Sequence, residues 1–225
     1  MGRRFSSRYA FIEGHGDALH FTDTALEDYL LARFGISNLL LSGFELGTQA
    51  VEKLLKAFLL FSDPTFGKKE KNVLRAIRAR ARELGRTEQL AHDVVAALDL
   101  AEKSGFSSSP SIKDRMERIN AYYLKRYPSG GALGGLRSLS TADVHDLDEA
   151  VFEIWDAFKN LNAEYYYTSG ILRDVYGMAL NGPLPWWDHR LEILAAKNLA
   201  FARRKDDITR GIEELIRIHY PELRN

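Results

Sequence analysis

One stretch of the chain, from Ser140 to Tyr165, limits the fold more than any other. Its apolar residues recur at alternating spacings of three and four; they are Val144, Leu147, Val151, Ile154, Phe158, Leu161 and Tyr165. This spacing predicts an amphipathic helix of about three heptads, because residues three and four apart lie on one face of a helix. Such an apolar stripe needs a partner helix. Few other runs alternate with the period of two that is typical of strands, so the sequence predicts an all-α protein.

Seven further segments have helical patterns. They span residues 24–34, 38–61, 69–84, 87–103, 112–125, 187–203 and 207–219. Thr24 followed by Glu27 is a capping-box pattern, which predicts that the first of these helices begins there. The Gly-rich run from Ser129 to Ser138 predicts a flexible loop. We therefore expect an antiparallel helical bundle at residues 23–168, with an N-terminal arm at 1–22 and a C-terminal helical extension at 169–225 packed on the bundle.

Composition excludes several classes of protein. The chain has no Cys, which excludes disulfide frameworks, thiolate zinc sites and Cys nucleophiles. No window approaches the 18 or more apolar residues of a membrane span, and Met1 to Phe11 lacks the apolar core of a secretory signal. We therefore expect a cytoplasmic protein without a membrane partner.

Charge is balanced overall but unevenly distributed. Lys plus Arg equals Asp plus Glu at 31 each, so no net charge favours nucleic acid as a partner. The segment from Lys68 to Arg86 nevertheless holds eight Lys or Arg against two Glu, and the segment from Asp143 to Asp156 holds six acids without Lys or Arg. Four of the cations recur at helical spacing and form what we call the basic stripe: Lys71, Arg75, Arg78 and Arg82.

The basic stripe is a candidate nucleic-acid-binding surface, because cations at this spacing can follow a phosphate backbone. Tyr122, Tyr123 and Tyr127 could supply stacking faces nearby. The alternative is that the stripe is merely solvated, or that it pairs with the acidic helix of the same or a second subunit.

Three short segments carry a resemblance to a known family. Residues 49–57 read Gln-Ala-Val-Glu-Lys-Leu-Leu-Lys-Ala, His92-Asp93 opens a later helical pattern, and Arg126-Tyr127-Pro128 follows. Together they resemble the HEPN family over roughly Asn38 to Leu161. The resemblance implies a helical bundle that dimerises. Members include metal-independent ribonucleases of toxin and phage-defence systems, and also non-cleaving nucleotide-binding or regulatory modules.

Arg86 and His92 match the pattern of the cleaving members, in which an Arg is followed by a His after four to six residues. The resemblance implies that Arg86 holds the scissile phosphate and that His92 acts as general base or acid. The chemistry fits these residue types, because Arg binds phosphate bidentately and His, titrating near about pH 6.5, can take the proton of a ribose 2′-hydroxyl. This reaction needs no metal or cofactor, and we expect neither.

Two observations keep another interpretation open, in which His92 only caps a helix or lies on the surface of the bundle. Arg8 and His15 match the same Arg–His spacing in the N-terminal arm, so the spacing alone does not identify a site. On one continuous helix an offset of six residues turns by about 240°, so Arg86 would have to lie before the helix, as Gly85 permits.

The sequence therefore leaves two functions. One is a metal-independent endoribonuclease of a defence or toxin–antitoxin type system, and the other is a non-catalytic nucleotide-binding, nucleic-acid-binding or protein-interaction module. The expected partners are a second copy of the chain, bound through the apolar stripe of residues 140–165, an RNA or nucleotide, and an antitoxin or other partner protein.

Overall fold

The computed structural model describes residues 14–38, 40, 42–86, 90–124, 141–182 and 185–223. The predicted loop at Ser129–Ser138, the Arg126-Tyr127-Pro128 segment and Arg8 lie outside these ranges. Ten α-helices follow one another in the described chain: α1 Gly16–Ser37, α2 Ser42–Ser62, α3 Glu70–Glu83, α4 Val94–Lys103, α5 Ile112–Leu124, α6 Thr141–Leu161, α7 Ala163–Thr168, α8 Gly170–Asn181, α9 Pro185–Ala195 and α10 Leu199–His219.

The described residues contain no strand, which confirms the prediction of an all-α bundle. None of the described helices is long and apolar enough to cross a membrane.

Helix α2 forms the centre of the bundle. It packs against α1, α3, α4, α5 and α6, and its apolar residues Val51, Leu54, Leu55 and Leu59 are fully buried. The approach to α1 is closest at Gly43, where an added Cβ atom would lie 2.7 Å from the backbone nitrogen of Ile36. Gly43 therefore permits the close α1–α2 pairing that carries the middle of α2 into the core.

The apolar stripe on α6 is buried within the single chain. Leu147, Val151, Ile154 and Phe158 are almost completely buried, and α6 packs mainly on α2. This corrects the predicted dimer interface, because a stripe that is covered by its own chain is not available to a second copy. A homodimer would have to use another surface.

The predicted helix over residues 140–165 is interrupted near its end. Helix α6 ends at Leu161, and the side chain of Asn162 caps α7 by accepting a hydrogen bond from the backbone N–H of Tyr165 at 2.8 Å. A buried Asn at this position satisfies the first turn of a new helix and stops the old one. Tyr165 remains buried, but as part of α7.

The start of the first helix differs from the prediction. Helix α1 begins at Gly16, so residues 16–22 of the predicted N-terminal arm are helical, and Ala18 and Thr22 are buried. The capping-box interpretation of Thr24 is wrong, since its hydroxyl donates to the carbonyl of His20 one turn earlier at 2.8 Å. Thr24 therefore lies inside the helix.

The C-terminal helices are also divided differently. Helix α8 was not predicted, and the break between the last two helices falls at residues 196–198 instead of 204–206. Asn198 makes this break, because its side-chain oxygen accepts from the backbone N–H of Phe201 at 2.9 Å and caps α10. Helix α10 packs on α6, α7 and α8, while α8 and α9 contact α1.

Candidate functional site

A buried carboxylate lies in the middle of α2. The side chain of Glu52 is only 7% exposed, and Lys56 one helical turn later pairs with its Oε1 atom. Lys56 is itself buried, with its ammonium nitrogen 5.6 Å from the centre of the Phe21 ring. A charge in the interior needs such a partner, because burial without one is costly. Glu52 is therefore held in a fixed position.

His92 reaches this carboxylate from outside the core. It ends a short 3₁₀ turn at Leu90–His92, and its Nδ1 atom lies 2.8 Å from Oε1 of Glu52. The His92 side chain is 50% exposed. An imidazole that is held by a carboxylate and has half of its side chain exposed to solvent is an arrangement suited to proton transfer.

Arg86 lies outside α3, as the catalytic interpretation requires. Helix α3 ends at Glu83, Gly85 takes a positive φ of 70°, and the Arg86 N–H bonds back to the carbonyl of Ala81 at 2.8 Å. This is the geometry with which glycine ends helices. Arg86 and His92 therefore do not share a continuous helix, and the rotation of about 240° does not apply to them.

Asp93 anchors the Arg86 side chain. It is buried, and its Oδ1 accepts from the backbone N–H of Ala96, which makes Asp93 the N-cap of α4. Its Oδ2 accepts from Arg86 Nε at 2.7 Å, and Asn120 Nδ2 lies 3.4 Å from the same oxygen. One carboxylate thus begins a helix and positions a guanidinium.

A second carboxylate, Glu117 on α5, accepts from Arg86 Nη1 at 2.9 Å. Partial burial lowers the pKa of Arg86, but the hydrogen bond and charge of Asp93, with those of Glu117, outweigh it and raise the pKa above its usual range. Arg86 is therefore a permanent cation that is already balanced by two carboxylates. An incoming phosphate would have to share Arg86 with Asp93 and Glu117.

Arg86 and His92 consequently contact different carboxylates. His92 faces Glu52 on α2, whereas Arg86 faces Asp93 and Glu117. The two sets adjoin, since His92 and Asp93 are consecutive and α2 packs on α5. Thr48, one turn before Glu52, donates to the carbonyl of Ile119 at 3.2 Å and so connects α2 to the part of α5 that carries Asn120.

The basic stripe lies on the outer face of α3. All four of its cations are exposed, and the opposite face of the helix buries Val73, Ile77 and Ala81. Among the residues that the structure describes, no stripe cation takes part in an ion pair. From Lys71 to Arg82 the stripe extends over about 16 Å, at 1.5 Å per helical residue.

The acidic helix α6 does not neutralise the stripe within the chain. Its carboxylates pair with other arginines: Asp146 with Arg118 at 2.6 Å, Asp156 with Arg204 at 2.6 Å, and Glu149 with Arg203. Among the described residues, the stripe is therefore not neutralised by α6, which excludes the alternative that it pairs with the acidic helix of the same subunit. Of the three suggested tyrosines, Tyr127 and the side chains of Tyr122 and Tyr123 lie outside what the structure describes.

The sequence suggested Arg86 and His92 as site residues but did not indicate most of their surroundings. Asp93 was predicted to lie inside a helix over residues 87–103, but the helix begins at Val94 and Asp93 is its N-cap. Glu117 and Asn120 carried none, since their contacts with Arg86 and Asp93 join residues 27 or more positions apart.

A scan against protein-family models and searches among curated proteins and solved structures found no match for this chain. The HEPN resemblance therefore stays a prediction.

Proposed function

We propose that the protein is a metal-independent endoribonuclease in which His92 transfers the proton. The observation that carries the proposal is the hydrogen bond from the half-exposed His92 to the buried Glu52 carboxylate, which Lys56 holds in place. With Nδ1 bonded to Glu52, proton exchange with a substrate falls to Nε2. Glu52 is a positioning residue, which orients the ring and stabilises the imidazolium that forms.

The reaction would proceed by internal transesterification. His92 takes the proton of a ribose 2′-hydroxyl, O2′ attacks the adjacent phosphorus, and the bond from phosphorus to O5′ breaks. O5′ takes a proton from water, and the hydroxide left behind takes the proton from His92, which returns to its neutral form. The products carry a 2′,3′-cyclic phosphate and a 5′-hydroxyl. Arg86 has five N–H donors, of which Asp93 and Glu117 use Nε and one of Nη1, so others can stabilise the charge on the phosphate oxygens.

His92→Ala is the test of this proposal. With single-stranded RNA in EDTA, we expect cleavage to fall at least about 100-fold, since a positioned general base contributes that much or more. His145→Ala is the matched control, because His145 is exposed to a similar degree and pairs with a carboxylate on α6. Circular dichroism checks that both variants fold. Undiminished cleavage by His92→Ala, or loss of the wild-type activity in EDTA, contradicts the proposal.

A second function is favoured by a different observation. The basic stripe is exposed and unpaired in the described part of the chain, while Arg86 is already bound by two carboxylates. This combination supports a non-catalytic module that binds nucleic acid or a nucleotide through α3. Binding without turnover, weakened by salt, distinguishes it from the ribonuclease. In either case the resemblance implies a defence or toxin–antitoxin setting with a homodimer and a partner protein.

A further inference from the structure

A cleft of about 160 Å³ lies beside Arg86. It is formed by the residues at the end of α3 together with α4 and α5. Three apolar side chains line it, of which Val95 and Leu98 are buried and Leu84 is 40% exposed. The carboxylates of Asp99 and Glu102 also line it, and Asp99 is paired with Arg80 and Lys103. The cleft thus places one exposed aliphatic side chain, Leu84, beside a guanidinium that two carboxylates hold in position. The cleft is therefore a candidate ligand site.

The flat guanidinium group of Arg86 lines one side of the cleft. Its guanidinium is tied by Nε to Asp93 and by Nη1 to Glu117, so its position is fixed before any ligand arrives. Guanidinium planes are stacking partners for nucleobases, and Arg is suited to this by its flat, delocalised charge. Together with the apolar lining, Arg86 favours a flat aromatic ligand over a sugar or a peptide.

Glu117 determines which flat ligand fits best. Its side chain is 47% exposed, and its Oε1 accepts from Arg86. Its Oε2 accepts from no other residue that the structure describes. A carboxylate is complementary to two parallel N–H donors. Among the four RNA bases only guanine presents two such donors side by side, at N1 and N2. Adenine, cytosine and uracil place an acceptor next to their donor.

We propose that this cleft binds a guanine base, stacked on Arg86 and paired through its N1–H and N2–H groups with Glu117. Lys113, an exposed cation on the rim, supplies a counter-charge for the phosphate of the same nucleotide. The base belongs either to a free guanosine nucleotide or to an RNA. The RNA version rests on the proposed ribonuclease function, since it places a guanosine next to the phosphate that Arg86 would hold.

Titration of the full chain with GMP, AMP, CMP and UMP tests the site without requiring catalysis. Isothermal titration calorimetry should give a Kd for GMP at least about tenfold lower than for UMP, which is the discrimination of one good bidentate contact. Glu117→Gln should remove most of this preference. Asp114→Asn, on the same helix but outside the cleft, should leave it unchanged. Leu84→Ala truncates a half-exposed side chain and should weaken binding of all four nucleotides.

Sequencing the ends of RNA fragments separates the two sources of the base. Cleavage next to guanosine in the wild type, lost in Glu117→Gln but kept in Asp114→Asn, supports the RNA version. Selective GMP binding by a wild-type protein that cleaves no RNA supports the nucleotide version, even though the ribonuclease fails. Equal Kd values for the four nucleotides, or a GMP preference that survives in Glu117→Gln, overturns the guanine site even if RNA is cleaved.

Discussion

Two carboxylates, Asp93 and Asp99, position the arginine side chains near the site. Asp93 is buried and binds both the N-terminus of α4 and the guanidinium of Arg86. Asp99, in α4, accepts two hydrogen bonds from Arg80, at 2.6 Å from Nε and at 2.9 Å from Nη2. It also forms an ion pair with Lys103. Asp99 thus links α4 to Arg80 of α3, and Asp93 links the start of α4 to Arg86, which follows α3. These two carboxylates hold α3 and α4 at a fixed distance from each other.

Asp99 should make the protein less stable in acid. Hydrogen bonds from Arg80, and less strongly from Lys103, lower the pKa of Asp99 below its ordinary value of 3.8. Because the folded-state pKa is depressed, Asp99 stabilises the fold above pH about 4, and this contribution is lost as pH falls through the folded-state pKa. Urea unfolding at pH 5.5 and at pH 2.5 measures how much unfolding free energy is lost between the two pH values. This loss should be smaller for Asp99→Asn than for the wild type. Equal losses would mean that this contact does not contribute.

At the scale of elements, the acidic helix α6 and the basic helix α3 have different surroundings. Helix α6 turns its acids toward arginines of α5 and α10, while α3 turns its basic stripe to solvent. The burial of Val73, Ile77 and Ala81 fixes this orientation of α3, because rotation of the helix would expose them. In the described part of the chain the stripe is thus an exposed basic surface without an ion-pair partner, and such a surface attracts anions.

The basic stripe should determine how salt affects RNA binding. Replacing Lys71, Arg75, Arg78 and Arg82 together by Gln should lower the slope of log K against log salt concentration by up to about 3, at about 0.7 for each phosphate contact with a single strand. The matched control replaces four exposed cations at the other end of the chain, Lys197, Lys205, Arg210 and Arg217. Fluorescence anisotropy with a labelled RNA measures both. A slope that is unchanged in the stripe variant would exclude α3 as the binding surface.

Elements with strong periodicity could be predicted from the sequence, and those that depend on a distant contact could not. Helix α3 was predicted at 69–84 and spans Glu70–Glu83, because its apolar and basic residues keep separate faces. The end of α6 was missed, since the apolar spacing continues through Asn162 into α7. Arg86 and His92 were suggested as a pair from the sequence and stay a prediction, while Gly85 indicated the exit from the helix. Glu117 is brought to Arg86 only by packing of α5, which no local pattern encodes.

At the scale of the whole molecule, one buried polar cluster joins the first helix to α6 and the last two. The Tyr29 hydroxyl donates to Asp148 at 2.7 Å and accepts from Asn198 at 2.8 Å. Arg33 pairs with Asp148 and donates from Nε to the carbonyl of Ile193 at 2.9 Å. All four side chains are at most 2% exposed. The C-terminal helices are thus fastened to the bundle by directed contacts as well as by apolar packing.

Arg33→Ala should be strongly destabilising. Removing one member of a buried ion pair leaves the Asp148 charge uncompensated, which costs about 3–5 kcal/mol. The double variant Arg33→Met with Asp148→Leu should recover much of this loss, because it removes both charges and keeps similar volume. Arg173→Ala is the control, since Arg173 and Asp23 form an exposed pair at 4.0 Å that should contribute less than about 1 kcal/mol. Urea unfolding measures all of them, and a mild Arg33→Ala would show that the cluster contributes little.

The same cluster has a consequence for how the protein is made in the cell. Arg33 and Tyr29 are joined to residues 160 and 169 positions further along the chain. Contacts between such distant positions are slow to form, and here the second half of the contact does not exist until the ribosome has added Asn198. Until then Tyr29 on α1 lacks its hydrogen bond from Asn198, so this part of the core is completed only after the C-terminal helices have been synthesised.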